Sequence, residues 1–246
     1  MKKSAIWFVA LIAMTAFSFT IFSNTPVKKS INVDDFTGIR VNGNYQVFLK
    51  QGNTLKVRVE GEESKIKKIS TTVKDGVWSI QSQSAKGSKC GHYSNYNYNG
   101  QNGSQTAMKV YITMPKLTSI SVSGTGKVST ENTFKVKTID LSISGSGKMR
   151  LGLNANSIEG NLCGSGKMVL KGTAKHLEAK VMGSGDVDAE SMKAENANVS
   201  ITGSGDINIH ATTYLKAKVS GSGDVFYKGS PSVHKKVTGS GGVSRL

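Results

Sequence analysis

The chain is poor in proline, cysteine and aromatic residues: 3 Pro, 2 Cys and 7% Phe, Trp and Tyr in 246 residues. Two cysteines, Cys90 and Cys163, are too few for a disulfide framework, so an apolar core must hold the fold. An oxidising compartment would allow the two to pair, and the sequence leaves that open. Beyond residue 22 no apolar run is long enough to cross a membrane as a helix. Lys and Arg outnumber Asp and Glu by 32 to 16, a formal charge of +16, yet no run of basic residues exceeds two. Arginine is scarce as well, with only Arg40 and Arg58 in the first hundred residues. Nucleic-acid readers favour arginine and clustered charge, so nucleic acid is not an expected partner. An anionic membrane or an anionic polymer is the other usual neighbour of a basic chain.

Catalytic constellations are missing too. His92, His176, His210 and His234 are scattered without the spacing of metal ligands. Serines sit in turns rather than on a strained strand-to-helix elbow. The GTGK and GSGK segments lack the spacing and the following helix of a phosphate loop. Neither an enzymatic activity nor a cofactor is expected.

What is present begins at the N-terminus. Met1-Lys2-Lys3 precedes an apolar stretch from Ala5 to Phe22, interrupted only by Thr15, Ser18 and Thr20. Small residues at Ala16-Phe17-Ser18 offer a cleavage site, and residues 1–23 read as a signal peptide. An uncleaved anchor is the competing reading, since the stretch is just long enough to span. No cysteine follows closely, which argues against a lipid anchor. Export to the periplasm, the outer-membrane surface or the medium is therefore expected.

Glycine is abundant, at 28 residues, and half of it is periodic. Gly-x-Gly recurs with first glycines at 124, 145, 164, 183, 203, 221 and 239, spaced 21, 19, 19, 20, 18 and 18 residues. Two positions before each first glycine stand Val122, Ile143, Leu162, Val181, Ile201, Val219 and Val237. Four positions after it stand Val128, Met149, Met168, Val187, Ile207, Val225 and Val243. The positions between are mostly Ser, Thr, Lys, Asp or Asn. This is period-two alternation on both sides of a turn, the mark of short strands with one face inward. A period near 19 is too short for a propeller blade and fits one coil of a β-solenoid. One coil cannot bury its apolar row alone, so coils must stack at about 4.8 Å, giving an array roughly 30 Å long.

The fold class expected is thus all-β: a parallel β-helix with coils of about 19 residues, plus an N-terminal β-rich portion. One domain covers 31–246, with an N-terminal part at 31–115 and the repeats at 116–246. Ile39, Val41, Val47 and Leu49 keep the repeat's offsets around Gly43, so 36–50 reads as a divergent coil at the N-terminal end of the array. Leu55, Val57 and Val59 alternate as a strand, and 62–69 carries one helical turn. Asp75-Gly76, between Val73 and Trp78, signals a two-residue hairpin. Val110, Ile112 and Met114 form the strand that leads into the array.

Two features invite a function. Residues 82–107 lack apolar periodicity and read as a solvent-exposed insertion. Within it Tyr93, Asn95, Tyr96, Asn97 and Tyr98 combine aromatic faces with paired donors and acceptors, a mix that suits a glycan or a protein surface. The residue after each second glycine forms a column: Lys127, Lys148 and Lys167, then Asp186, Asp206 and Asp224, then Gly242. It reads as a solvated turn column, or as a basic patch beside an acidic one. Weak calcium binding by the acidic half is the lesser reading, because calcium β-rolls repeat every nine residues and this chain does not.

Four segments carry a family likeness: FTGIRVNGNYQVFLKQG at 36–52, VYITMPKLTSISVSGTG at 110–126, KGTAKHLEAKVMGSGDV at 171–187 and YKGSPSVHKKVTGSGGV at 227–243. On these the chain resembles the bacterial head GIN domain family of putative autotransporter adhesins, over about residues 31–246. The resemblance implies a right-handed parallel β-helix, export, and an adhesive or cell-surface role. It brings no catalytic residues, and the tyrosine-rich segment at 93–98 departs from its pattern. The expected partner is a glycan, a matrix component or another envelope protein. An envelope scaffold with no ligand, and a polysaccharide-active β-helix enzyme, are the alternatives. The sequence stops soon after the last turn without an evident cap, so end-to-end pairing of two copies stays open.

Overall fold

The computed structural model describes residues 26–82 and 107–246. Residues 1–23, read above as a signal peptide, Cys90 and the residues Tyr93, Asn95, Tyr96, Asn97 and Tyr98 lie outside the described residues. Alternation becomes strand almost throughout. The first elements are β1 (Val27–Ile31), β2 (Gly38–Asn42), β3 (Tyr45–Gln51), β4 (Lys56–Gly61) and the helical turn α1 (Glu63–Ile66). Next come β5 (Val73–Lys74), β6 (Val77–Ile80), β7 (Met108–Met114), β8 (Ser119–Gly124), β9 (Lys127–Thr130) and β10 (Phe134–Gly145). The long β11 (Lys148–Gly164), β12 (Lys167–Gly183), β13 (Asp186–Gly203) and β14 (Ile207–Gly221) each run from one glycine turn to the next. The last coil holds β15 (Val225–Lys228), β16 (Ser232–Gly239) and β17 (Val243–Arg245).

The coils stack in parallel, in the register that the glycines imply. Ile80, Val41, Val122, Ile143, Leu162, Val181, Ile201, Val219 and Val237 are successive partners in one ladder. Across the turn a second ladder runs Val110, Val47, Val128, Met149, Met168, Val187, Ile207, Val225 and Val243. A third, Ile139, Ile158, Leu177, Ala197, Leu215 and Val233, runs four residues before the first on the same stretch of each coil, and the short side between the second ladder and the third stacks Ala155, Ala174, Ala194 and Ala211. Nearly every one of these side chains is buried until the final coil, where Val237 is 39% exposed. Each buried Val, Ile or Leu contributes about 1.5–3 kcal/mol before entropy is counted.

The order of coils at the start differs from the sequence reading. The 36–50 segment is a coil of the array, but it is the second rung. The first rung is β6 followed by β7, which pair in parallel with β2 and β3. Alternation alone cannot show this, because the chain builds the second rung before the first. The hairpin at Asp75 and Gly76, with φ of 52° and 69°, turns β5 into β6. Positive φ at both central residues is the geometry that matches strand twist. Antiparallel β4 then covers the outer edge of β7, and β1 covers β4. These strands close the array at that end, with Lys28 and Lys29 on the outermost strand, a usual guard against edge pairing. At the other end, among the described residues, β16 pairs only with β14.

Candidate functional site

The column of lysines and aspartates sits where each turn enters the strand that carries the second ladder. Its two halves behave differently. Lys127, Lys148 and Lys167 are exposed, whereas Asp186, Asp206 and Asp224 are half-buried. In the lysine half the main-chain amides of Lys148 and Lys167 donate to the carbonyls of Gly126 and Gly147 one rung before, at 2.9 and 3.0 Å. In the aspartate half the equivalent amides of Asp206, Asp224 and Gly242 donate to the Oδ1 atoms of Asp186, Asp206 and Asp224, at 3.4, 2.9 and 2.7 Å. The following amides of Val187, Ile207 and Val225 reach the carbonyls of Asp206, Asp224 and Gly242 one rung ahead, each at 2.9 Å.

The aspartates are therefore not a solvated charge column. Each carboxylate replaces a main-chain acceptor and caps the next rung. Among the described residues no three His, Cys, Asp or Glu side chains converge as metal ligands. Truncating Asp206 to Ala leaves the Asp224 amide without its acceptor and should cost about 1–2 kcal/mol in urea denaturation. Lys148→Ala should change stability by less than about 0.5 kcal/mol. Equal losses in the two variants would contradict the capping role.

The outward face of the strands that carry the second ladder holds the other constellation. Arg58, Tyr111, Phe48, Ser129, Arg150 and Val169 follow one another in register across neighbouring strands. Alternation puts them outside, since their chain neighbours Val110, Ile112, Val47 and Leu49 are buried. The rings of Phe48 and Tyr111 stack at 5.0 Å and 15°, and the Arg58 guanidinium lies 5.1 Å from the Tyr111 centroid. The Tyr111 hydroxyl donates to Glu60 at 3.2 Å, which fixes the ring. Glu60 also meets Lys109 at 3.5 Å and Lys28 at 3.8 Å. Desolvation pulls the other way, yet these cations and the tyrosine hydroxyl hold the Glu60 carboxyl below its ordinary range.

Tyr111 covers one face of the Phe48 ring. The other face looks along the column, over the small side chain of Ser129, toward Arg150. The space so left is a groove of about 540 Å³, lined by Phe48, Ser129, Arg150, Lys127, Lys148 and Lys167 among others. Sequence reading found the lysines but missed the rings. The outward position of Phe48 in Tyr45–Gln51 was the available signal.

The tyrosine and asparagine residues of the insertion lie outside the described residues, but their attachment does not. Val41 pairs with Ile80 and Tyr45 with Met108, so residues 81–107 of the first rung fill the interval held by Asn42, Gly43 and Asn44 in the second. The Asn42 side chain donates to Gln81 Oε1 at 2.7 Å, next to that junction. The insertion thus takes the place of a glycine turn at the closed end of the stack.

Solved structures share this architecture. A "putative adhesin" from Bacteroides fragilis NCTC 9343 is 25% identical, with a TM-score of 0.78, over 91% of this chain and 98% of that one. A "putative adhesin" from Parabacteroides distasonis ATCC 8503 is 27% identical, with a TM-score of 0.70 over the same shares. A "putative lipid binding protein" from the same organism is similar in fold, at 23% identity and a TM-score of 0.71, again over 91% and 98%. No curated protein matches. Among the described residues no helix is long and apolar enough to cross a membrane. The family described as "Putative auto-transporter adhesin, head GIN domain" matches residues 35–231, well over half of the sequence, and the chain belongs to that family.

Proposed function

We propose that the chain is an exported, non-enzymatic binding module of the cell envelope, an adhesin whose partner is a glycan, a matrix component or another envelope protein. The observation that carries this is the placement of the insertion. A regular, tightly hydrogen-bonded stack ends in a rung whose turn is replaced by a long segment holding Tyr93, Asn95, Tyr96, Asn97 and Tyr98. Recognition commonly resides on loops held by a rigid scaffold. Tyrosine and asparagine supply ring faces and adaptable hydrogen bonds. Family membership supports export and adhesion.

Removing residues 88–104 should lower binding to a glycan array or a matrix-coated surface by about tenfold or more, an order typical of losing several contact residues. The melting temperature should be unchanged, because none of the ladder residues falls within the deletion. Binding that survives the deletion at full strength would remove the segment from the function. No binding by the intact chain would favour a structural scaffold. Release of reducing ends from a polysaccharide would favour an enzyme.

A further inference from the structure

The geometry points to the groove between Phe48 and Arg150 as a site for a linear acidic polysaccharide, laid along the stack with about one uronate sugar per rung. This rests on the reading of the chain as a binding module and names the ligand class and a second contact surface. Three observations converge on it.

The first is charge. Lys127, Lys148 and Lys167 are exposed and directly in register on successive strands. Neighbouring like charges in a ladder destabilise it. Among the described residues neither these lysines nor Arg150 forms a salt bridge. A polymer with regularly spaced carboxylates offsets all of them together. Rungs repeat at about 4.8 Å, close to the length of an extended pyranose unit.

The second is shape. Phe48, Ser129, Arg150 and Val169 line one open groove beside the three lysines. A pyranose ring has an apolar C–H face that packs against an aromatic ring. Its carboxylate then reaches Arg150 or a lysine in a charge-assisted hydrogen bond. The platform is set before binding, since Tyr111 is held by Phe48, Arg58 and Glu60.

The third is a boundary. The next position in the lysine column is Asp186, so the favourable stretch ends after Lys167. A short oligosaccharide should therefore capture most of the affinity.

Isothermal titration of the purified exported chain with polygalacturonate and its oligomers tests the site. Binding is expected, with a tetrasaccharide nearly as tight per site as longer chains. Neutral dextran, phosphatidylglycerol vesicles and single-stranded DNA should bind more weakly. Changing Lys127, Lys148 and Lys167 together to Glu should lower affinity by about tenfold or more. Ser129→Trp fills the groove without removing a charge and should lower it by about fivefold. Melting temperatures of both variants report whether the fold persists. Wild-type affinity in a folded Ser129→Trp variant overturns the site, as does equal or tighter binding of dextran, vesicles or DNA, or affinity that grows steadily with chain length. If the intact chain ignores polygalacturonate but binds the array through residues 88–104, this site fails and the binding-module reading stands. If it binds neither, both fail.

Discussion

Ile143→Asp is expected to abolish the cooperative fold at 25 °C. Ile143 is 1% exposed and lies between Val122 and Leu162 in the ladder beside the glycine turns. The change removes about 1.5–3 kcal/mol of apolar burial. It also places a carboxylate where neighbouring side chains offer no partner, at a further cost of several kcal/mol. A domain of ordinary stability has only about 5–15 kcal/mol to lose. The damage does not stay local, because each coil is stabilised mainly by its two neighbours. Circular dichroism and urea titration provide the readout. Ile143→Val, at about 0.5–1.5 kcal/mol, serves as the mild control. Val237→Asp sharpens the test. It belongs to the same ladder, but Val237 is 39% exposed, so its aspartate stays in contact with water. A loss near 1 kcal/mol or less is expected there. Cooperative melting of Ile143→Asp at the wild-type temperature would mean that the ladder is not a continuous core.

The repeats were legible because two independent signals coincide in them. Glycine pairs give the period, and aliphatic residues at fixed offsets from those pairs give the inward face. Leu162, Val181 and Ile201 are partners in the order their numbers imply. The start of the array was harder for a physical reason. The rung made of β6 and β7 is laid outside one built earlier in the chain, and no local pattern records which coil lies outermost. Val110, Ile112 and Met114 show the right alternation but not their neighbour.

The candidate sites divide along the same line. The lysine and aspartate column could be read from sequence, because its spacing follows the glycines. That aspartate there caps a main-chain amide could not, because the capped amide lies a whole coil away. Phe48, Tyr111 and Arg58 come from three separate strands, and only register brings them into one stack. Charge composition pointed to an anionic partner and gave no place for it.

The glycine turns yield the second large effect, and it is graded along the stack. None of the second glycines of the repeats has positive φ, so the cost of adding a methyl group there is steric. A Cβ at Gly126 would stand 3.0 Å from the Gly43 carbonyl oxygen, and one at Gly147 would stand 3.1 Å from that of Gly126. At Gly166 and Gly185 the separation falls to 2.6 Å, with the Gly147 and Gly166 oxygens. At Gly205 the added carbon would overlap the Gly185 oxygen outright. The room for a methyl group thus shrinks along the stack, although the hydrogen bonds between successive turns keep their length. The aspartate carboxylates take over as acceptors in the more crowded rungs. Backbone cannot swing aside as a flexible side chain does, least of all between two hydrogen-bonded neighbours. Gly205→Ala should therefore cost about 3 kcal/mol or more, at or beyond the upper end of ordinary overpacking. Gly126→Ala, where a shift of a few tenths of an ångström suffices, should cost about 1 kcal/mol. Urea midpoints of the two variants against wild type make the comparison. The same substitution in the same repeat position should thus differ about threefold in effect. Equal losses would show that the room for a methyl group at the second glycine does not change along the stack.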